Sequence, residues 1–338
     1  MKRLCLLVLV LCLLLSGCVR PPAPAAEGDV LEVHYLDVGQ ADCILLRCQG
    51  STMLIDGGNV DDSQMVISYL TNQNVERFDY VVNTHPHEDH VGGLPAVLAV
   101  FPTQEVWCPV KEYDSSCFED FMKYTHEQGL EPVCPEPGST YALGSAEITV
   151  FGPVKIYEDA NNTSIVLQVE HGENTFLFTG DAETASEKDI LDHGFDVTST
   201  VLKVGHHGSD TSTSYRWLRE VSPMYAVIQV GEGNSYGHPQ EEILSRLADA
   251  DVQVYRTDEQ GHILCTSDGV ELTFTAGAGV LEDAKTKPSV EIYIGNVKSK
   301  KFHLPTCSGL PGIENSTLLL GYDLAVFAGY SPCSRCIG

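Results

Sequence analysis

Short runs in which apolar and polar residues alternate, punctuated by glycine, asparagine and aspartate, dominate this chain. Between them come longer stretches with an apolar residue at every third or fourth position. The first rhythm predicts half-buried strands and the second amphipathic helices. Residues 30–37 (VLEVHYLD) alternate as a strand does, 38–42 form a tight connection, and 43–47 and 53–55 predict two more strands that close on Asp56-Gly57-Gly58. Such a strand–turn–strand opening suits one sheet of a sandwich. Residues 61–75 carry Met65, Val66, Tyr69 and Leu70 on one helical face and lead into an apolar, β-branched run at 78–83, giving β-α-β. Further on, 94–101 predicts a half-helix stopped by Pro102, 105–109 a strand and 116–128 a helix. Strands follow at 146–151, 164–170, 174–178, 198–204 and 225–231, then a helix at 240–248. Residues 252–256 and 262–266 read as a closing hairpin, and 270–275 as a last strand. The fold class expected from this alternation is α/β.

The two ends break the pattern. Lys2 and Arg3 precede an apolar run over 4–15, followed by Ser16-Gly17-Cys18. That arrangement is similar to a bacterial lipoprotein signal, whose cleavage leaves Cys18 first and lipidated. About 12 apolar residues fall short of the ~20 that span a bilayer, which argues against an uncleaved anchor. The expected organisation is a signal segment at 1–17, a Pro/Ala tether at 18–29, a large domain at 30–276, a linker at 277–288 and a small module at 289–338. The mature chain then sits on the extracytoplasmic face of the cell membrane with no transmembrane helix.

Charge narrows the partners. The whole chain has a formal net charge of −27, and removal of Lys2 and Arg3 leaves 18 basic against 47 acidic residues. Tight, sequence-independent binding to nucleic acid or anionic lipid through a basic surface is therefore disfavoured. From residue 289 onward, four basic residues face three acidic ones, so the acid excess lies upstream. Cys43, Cys48, Cys108, Cys117, Cys134 and Cys265 remain once the signal, Cys18 and the C-terminal cysteines are set aside, and their spacing specifies no disulfide.

Candidate chemistry concentrates where the 78–83 strand runs out. His85, His87, Asp89 and His90 arrive within six positions, with Pro86 stiffening the turn and Gly92-Gly93 behind it. Neutral imidazoles and a carboxylate suit zinc, manganese or iron, and a strand end fixes their directions. Asp181 follows another apolar strand and Gly180. His206 and His207 follow a third. A shared carboxylate can bridge two cations and hold them close enough to share a hydroxide. His126 on its helix reads as solvated, and His171 near a hairpin tip as structural.

HxHxDH after a hydrophobic strand resembles the signature of the metallo-β-lactamase-fold hydrolases. YLDVGQAD, FLFTGDAE, VLKVGHHGS and NSYGHP further resemble the hydrolase domain of the competence protein ComEC and its free-standing relatives. This likeness covers roughly residues 31–275. It implies a four-layer αββα sandwich with two divalent ions, Zn or Mn, at one edge. His85, His87, Asp89, His90, Asp181 and one of His206 and His207 would hold them, with His207 favoured by its spacing to Ser209. Asp56 would support the metal loops. Asp37, Gln40 and Asp42 either face the site or only form the turn. A third histidine usual in the wider fold is absent. Asn161-Asn162-Thr163-Ser164 stands in the matching place, with Asn162 and Ser164 as candidate support and an amide oxygen or water as the missing donor. His238 would open a helix and act as a phosphate contact or proton donor, with a metal ligand as the other reading. Asp89 and His238 are the catalytic candidates.

His303-x3-Cys307 and Cys333-x2-Cys336 supply four ligands in two close pairs, the spacing of a closed tetrahedral zinc site. A fifty-residue module buries little core, so a metal clip is physically motivated. The segment resembles small zinc-binding modules related to the metal-binding domain of the Ada repair protein, and a Cys333–Cys336 redox pair or a disulfide with Cys307 is the alternative. The function implied is a surface-anchored dinuclear hydrolase of phosphodiesters, a nuclease acting on extracellular DNA first. Cleavage of cell-wall or lipid head-group phosphodiesters and a non-catalytic envelope binding protein are the competing readings.

Overall fold

Strand Leu31–Tyr35 shows why the opening pattern folds as it does. Leu31, Val33 and Tyr35 project into the core between two sheets, while His34 points the other way and meets the Tyr69 hydroxyl at 2.9 Å. In Ile44–Cys48, Ile44 and Leu46 face the partner sheet and Leu45 faces the covering helices. A one-residue slip would exchange these faces, and each buried aliphatic side chain is worth about 1.5–3 kcal/mol, so the register is strongly held.

The computed structural model describes residues 28–277 and 291–337. The expected signal segment, Cys18, most of the tether and most of the linker lie outside the described residues. One sheet runs in the order Leu272–Ala276, Ile263–Ser267, Leu31–Tyr35, Ile44–Cys48, Ser51–Ile55, Phe78–Val82, Thr103–Trp107, and its last three strands are parallel. The second runs Gln253–Arg256, Tyr225–Ile228, Val201–Lys203, Asn174–Phe178, Val166–His171, Ala146–Gly152, Thr140–Leu143, with its first four strands parallel. Helices Ser63–Asn72, Leu94–Val100 and Ser116–Glu127 cover the outer face of the first sheet. Helices Thr184–His193, Tyr215–Val221 and Glu241–Asp249 cover the second. The layers are therefore α, β, β, α, as expected.

The expected closing hairpin does not form. Gln253–Arg256 pairs with Tyr225–Ile228 in the second sheet, whereas Ile263–Ser267 pairs with Leu31–Tyr35 in the first. The short helix Thr257–Gln260 between them carries the chain across the sandwich, and the true hairpin joins Ile263–Ser267 to Leu272–Ala276. The sequence pattern does not predict two helices, Thr184–His193 and Tyr215–Val221. Thr184–His193 buries only Ser186, Glu187 and Ile190, too little apolar surface to mark a helical stripe.

A third sheet, ordered Ser316–Leu320, Ile292–Asn296, Lys301–His303, Ser331–Pro332, makes up the C-terminal part with helix Tyr322–Phe327. It is docked on the large part. Ile292, Ile294 and Leu310 share one apolar core with Val66, Leu70, Val97 and Phe121, and the Tyr124 hydroxyl donates to the Leu310 carbonyl at 2.9 Å. Among the described residues no helix is long and apolar enough to cross a membrane.

Candidate metal centre

Every candidate ligand of the large part lies just past the carboxyl end of a parallel strand, where an open α/β sheet leaves a crevice. Phe78–Val82 delivers His85 to His90, Ser51–Ile55 delivers Asp56, Asn174–Phe178 delivers Asp181, and Val201–Lys203 delivers His206 and His207. Two glycine pairs let the first two loops touch backbone to backbone. A Cβ on Gly93 would stand 2.1 Å from the Gly57 carbonyl oxygen, so neither loop tolerates a side chain there.

Asp181 is the centre of the cluster. Its Oδ1 lies 3.3 Å from His90 Nε2, and its Oδ2 lies 3.8, 3.6 and 3.7 Å from the Nε2 atoms of His85, His206 and His207. Asp89 Oδ2 is 3.2 Å from His207 Nε2 and 3.7 Å from His90 Nε2. Asp89, His90, Asp181 and His207 each present one ligand atom, and all four atoms lie within 4.8 Å of one another. On the other side, His85 Nε2 and His87 Nδ1 face each other at 3.0 Å. His90 Nε2 and Asp181 Oδ1 are buried yet have no hydrogen-bond partner. Converging, unpartnered donors of this kind fit divalent cations, since burying them unsatisfied is costly.

Both members of the 206–207 pair reach the cluster, of which one was expected as the ligand. His206 and His207 adopt left-handed backbone, with φ of 51° and 53°. Each such non-glycine residue costs on the order of 1 kcal/mol, a strain that turns two successive imidazoles to the same side.

The groups behind the ligands set their direction. Asp56 accepts from the Thr84 backbone N–H and hydroxyl and lies 2.8 Å from His90 Nδ1, leaving His90 Nε2 for the cluster. Asp42 Oδ1 stands 3.3 Å from His207 Nδ1, which also faces the Gln229 carbonyl at 3.0 Å. Lys203 holds the other oxygen of Asp42 at 2.7 Å in full burial. Sequence patterning missed Lys203 and Thr84, because a lysine inside an apolar strand and a threonine in a turn carry no distinguishing signal. Ser164 accepts from the Asp181 backbone N–H at 3.1 Å and so positions that carboxylate.

Charge within the cluster is unbalanced. Burial alone would lower the His90 pKa, but Asp181, Asp89 and Asp56 outweigh it and hold the imidazole well above its ordinary value. His207, despite burial, is pushed up to about 10 by Asp181 and Asp42. Burial and the neighbouring His90 hold His85 well below the ordinary value. Burial works to raise the Asp181 carboxyl, yet His90 and His207 keep it well below the usual range. The carboxylates thus draw positive charge onto the imidazoles around them, a charge that a bound cation would supply instead.

The structure decides between the two readings of Asp37 and corrects two further expectations. Asp37 does not face the site; it is exposed and its Oδ1 accepts from the Gly39 backbone N–H, so it belongs to its turn. Asn162 points away, with Oδ1 accepting from Ser186 N and Nδ2 donating to Asp159 and Glu183. Asn161 lines the site cavity with His87 instead, its Oδ1 buried without a partner and its Nδ2 donating to Glu183. His238 does not open the helix, which starts at Glu241 with Gln240 as its cap, and Glu241 and Glu242 already occupy the first turn. An anion at that helix start would meet two carboxylates. His238 still lines the site cavity of about 380 Å³ together with Gln40, Asp89, Asp181 and His207.

The sequence profile of the metallo-beta-lactamase superfamily matches residues 36–232. The chain belongs to this superfamily. Two relatives sharpen the placement of this metallo-beta-lactamase chain. "Competence protein ComA" of Neisseria gonorrhoeae is 30% identical over 251 residues, covering 74% of this chain and 34% of that protein. "ComE operon protein 3" of Bacillus subtilis (strain 168) is 28% identical over 261 residues, covering 72% and 33%. The chain thus spans about a third of the length of these relatives. The metallo-beta-lactamase fold protein YhfI from Bacillus subtilis superposes with a TM-score of 0.49 at 13% identity, over 71% of this chain and 100% of that one. The superfamily fold implies divalent metals, and the cluster around Asp181 has the donors for them.

A second cluster sits in the C-terminal part. His303, Cys307, Cys333 and Cys336 bring their ligand atoms within 4.8 Å of one another, with His303 Nδ1 3.4 Å from Cys307 Sγ. All nine cysteines among the described residues are free. His171 is buried beside Ser267 at 3.0 Å and Asp29 at 3.4 Å, away from the Asp181 cluster, and His126 is exposed beside Glu131.

Proposed function

We propose that this chain is a dinuclear metal-dependent phosphodiesterase that cuts nucleic acid, anchored at the outer face of a bacterial membrane through lipidated Cys18. The observation that carries the reading is Asp181, whose Oδ2 faces the Nε2 atoms of His85, His206 and His207 while its Oδ1 faces His90, in a group that also takes in Asp89. The likeness to proteins named for competence supports nucleic acid as substrate. In this reading His85, His87 and Asp181 hold one ion, with Asn161 or His206 beside them. Asp89, His90, Asp181 and His207 hold the other. Zinc or manganese suits the imidazole and carboxylate donors. The C-terminal Cys/His cluster holds a structural zinc, in a module resembling that of the Ada protein.

When bound, such a pair of ions supplies a hydroxide near neutral pH and steadies negative charge on the phosphorus oxygens. The chain's own groups do the rest. Asp56 and Asp42 aim His90 and His207 through their Nδ1 atoms, so the ligand nitrogens need no reorientation. Gln40 accepts from the Gly231 backbone N–H with Oε1, which leaves its Nε2 to donate to His238 Nδ1 at 3.3 Å. The neutral His238 imidazole therefore carries its proton on Nε2. Burial and the nearby His206 and His207 lower its pKa and keep it neutral. It is a hydrogen-bond donor for a phosphate oxygen or the departing oxygen.

The test is incubation of the chain with Mn or Zn and, separately, single-stranded DNA, duplex DNA and bis-p-nitrophenyl phosphate. Cleavage of both DNA and the small diester is expected. Cleavage of the small diester alone transfers the activity to other envelope phosphodiesters. Bound metal without any cleavage removes the enzyme reading.

A further inference from the structure

Two exposed tyrosines stand at the rim of the site. Tyr236 is 68% exposed, lines the site cavity and stacks on His238, with ring centroids 5.7 Å apart and planes 25° apart. Tyr113 is 37% exposed and meets His87 edge-on at 5.9 Å. Beyond His87 it lines a neighbouring cavity of about 740 Å³ floored by Phe118 and Met122. One ring thus flanks the cluster on the His238 side and the other on the His87 side. Aromatic rings left open to water on either side of a reaction centre offer apolar surface that a flat ligand can cover.

The surroundings say what kind of ligand. The chain carries a formal net charge of −27, and the Tyr113 cavity sets Lys111 and Lys123 against Glu112, Asp114 and Glu119. Among the described residues that line the site cavity there is no lysine or arginine. A polyanion held by phosphate contacts along its length would be repelled. A ligand held at one phosphate by the metal centre and at its flat faces by aromatic rings would not.

We propose that Tyr113 and Tyr236 are stacking platforms for the two nucleobases flanking the scissile phosphate, so that the site takes a single strand with its bases splayed apart. This rests on the phosphodiesterase reading above. Stacking on a ring face is tolerant of sequence, and a duplex does not offer its base faces. The chain would then cut single strands with little base preference and with weak dependence on salt.

The experiment compares two single-stranded octamers of equal charge, one of thymidylates and one of abasic sites, with bis-p-nitrophenyl phosphate to report the chemistry. Tyr113→Ala and Tyr236→Ala should each raise KM for the thymidylate octamer roughly five- to thirtyfold, leave the abasic octamer unchanged, and be rescued by Tyr→Phe. Wild-type KM for the thymidylate octamer should rise less than about threefold between roughly 50 and 200 mM salt. Both tyrosines are exposed, so the variants keep the fold, which circular dichroism checks. If the thymidylate octamer is cut but both alanine variants behave as wild type, or lose equally on the abasic strand, the stacking proposal is wrong while the phosphodiesterase reading stands. If no octamer and no small diester is cut, both fail together.

Discussion

Among the described residues, the Asp181 cluster and the C-terminal cluster of metal-type donors are built on opposite principles. The Asp181 cluster is oxygen- and imidazole-rich, borders an open cavity, and draws its members from loops between residues 85 and 207. The C-terminal cluster is sulfur-rich, has four donors from two short segments, and belongs to a part with only a small apolar core of its own, around Tyr293 and Phe302. A closed thiolate set stores folding energy, whereas an open carboxylate set keeps room for a reactant. The same element could therefore serve as staple in one place and as reagent in the other.

That contrast can be broken most directly at its centres. Asp181→Ala is expected to lower the rate on a small diester on the order of a thousandfold, with loss of metal from the large part and none from the C-terminal part. Elemental analysis beside the rate assay checks both, and an unchanged metal count would sink the assignment of Asp181 as the shared ligand. Lys203→Met leaves Asp42 as an unpaired buried carboxylate behind His207. A stability loss of about 3 kcal/mol in urea melts is expected, most of it recovered in the Lys203→Met, Asp42→Asn pair. A double variant no better than the single one would show that the loss does not come from the stranded Asp42 carboxylate.

Cys333→Ser probes the other cluster. Amide protection across Ile292–Asn296 and Lys301–His303 should fall, by about tenfold or more in hydrogen exchange, while the small-diester rate moves less than about threefold. A collapse of that rate would mean that the docked module supports the site.

The smallest effect concerns pH. Burial pushes the Glu187 carboxyl up to about 7 from 4.5, against backbone N–H donors from Ser214 and Thr213 that favour the charged form. A raised carboxyl binds its proton more tightly in the folded chain, so its contribution is greatest at low pH and is lost as pH rises through about 4.5 to 7. Relative to Glu187→Gln, wild-type stability should therefore decline by at most about 3 kcal/mol between pH 5 and 8. Parallel pH profiles of the two proteins would contradict this.

Much of the site was legible before any coordinates. His85, His87, Asp89 and His90 are close in sequence, so a single strand end presents them together whatever the rest of the chain does. The His303/Cys307 and Cys333/Cys336 pairs are legible for the same reason. Asn161 and Asn162 were not separable, because adjacent amides differ only in which way a short turn points them. The closing hairpin misled because two strands near in sequence with turn residues between them look alike whether they pair or part.

What the chain's letters determined alone was local: which runs make strands and which donors cluster at their ends. Tertiary structure decided that both His206 and His207 face Asp181, through a left-handed backbone no pattern announces. It also decided that Lys203 and Asp42 meet in the interior and that Tyr113 and Tyr236 flank the centre from two separate loops. Contacts between distant segments depend on how whole sheets pack, and that packing is a property of the summed apolar burial rather than of any one stretch.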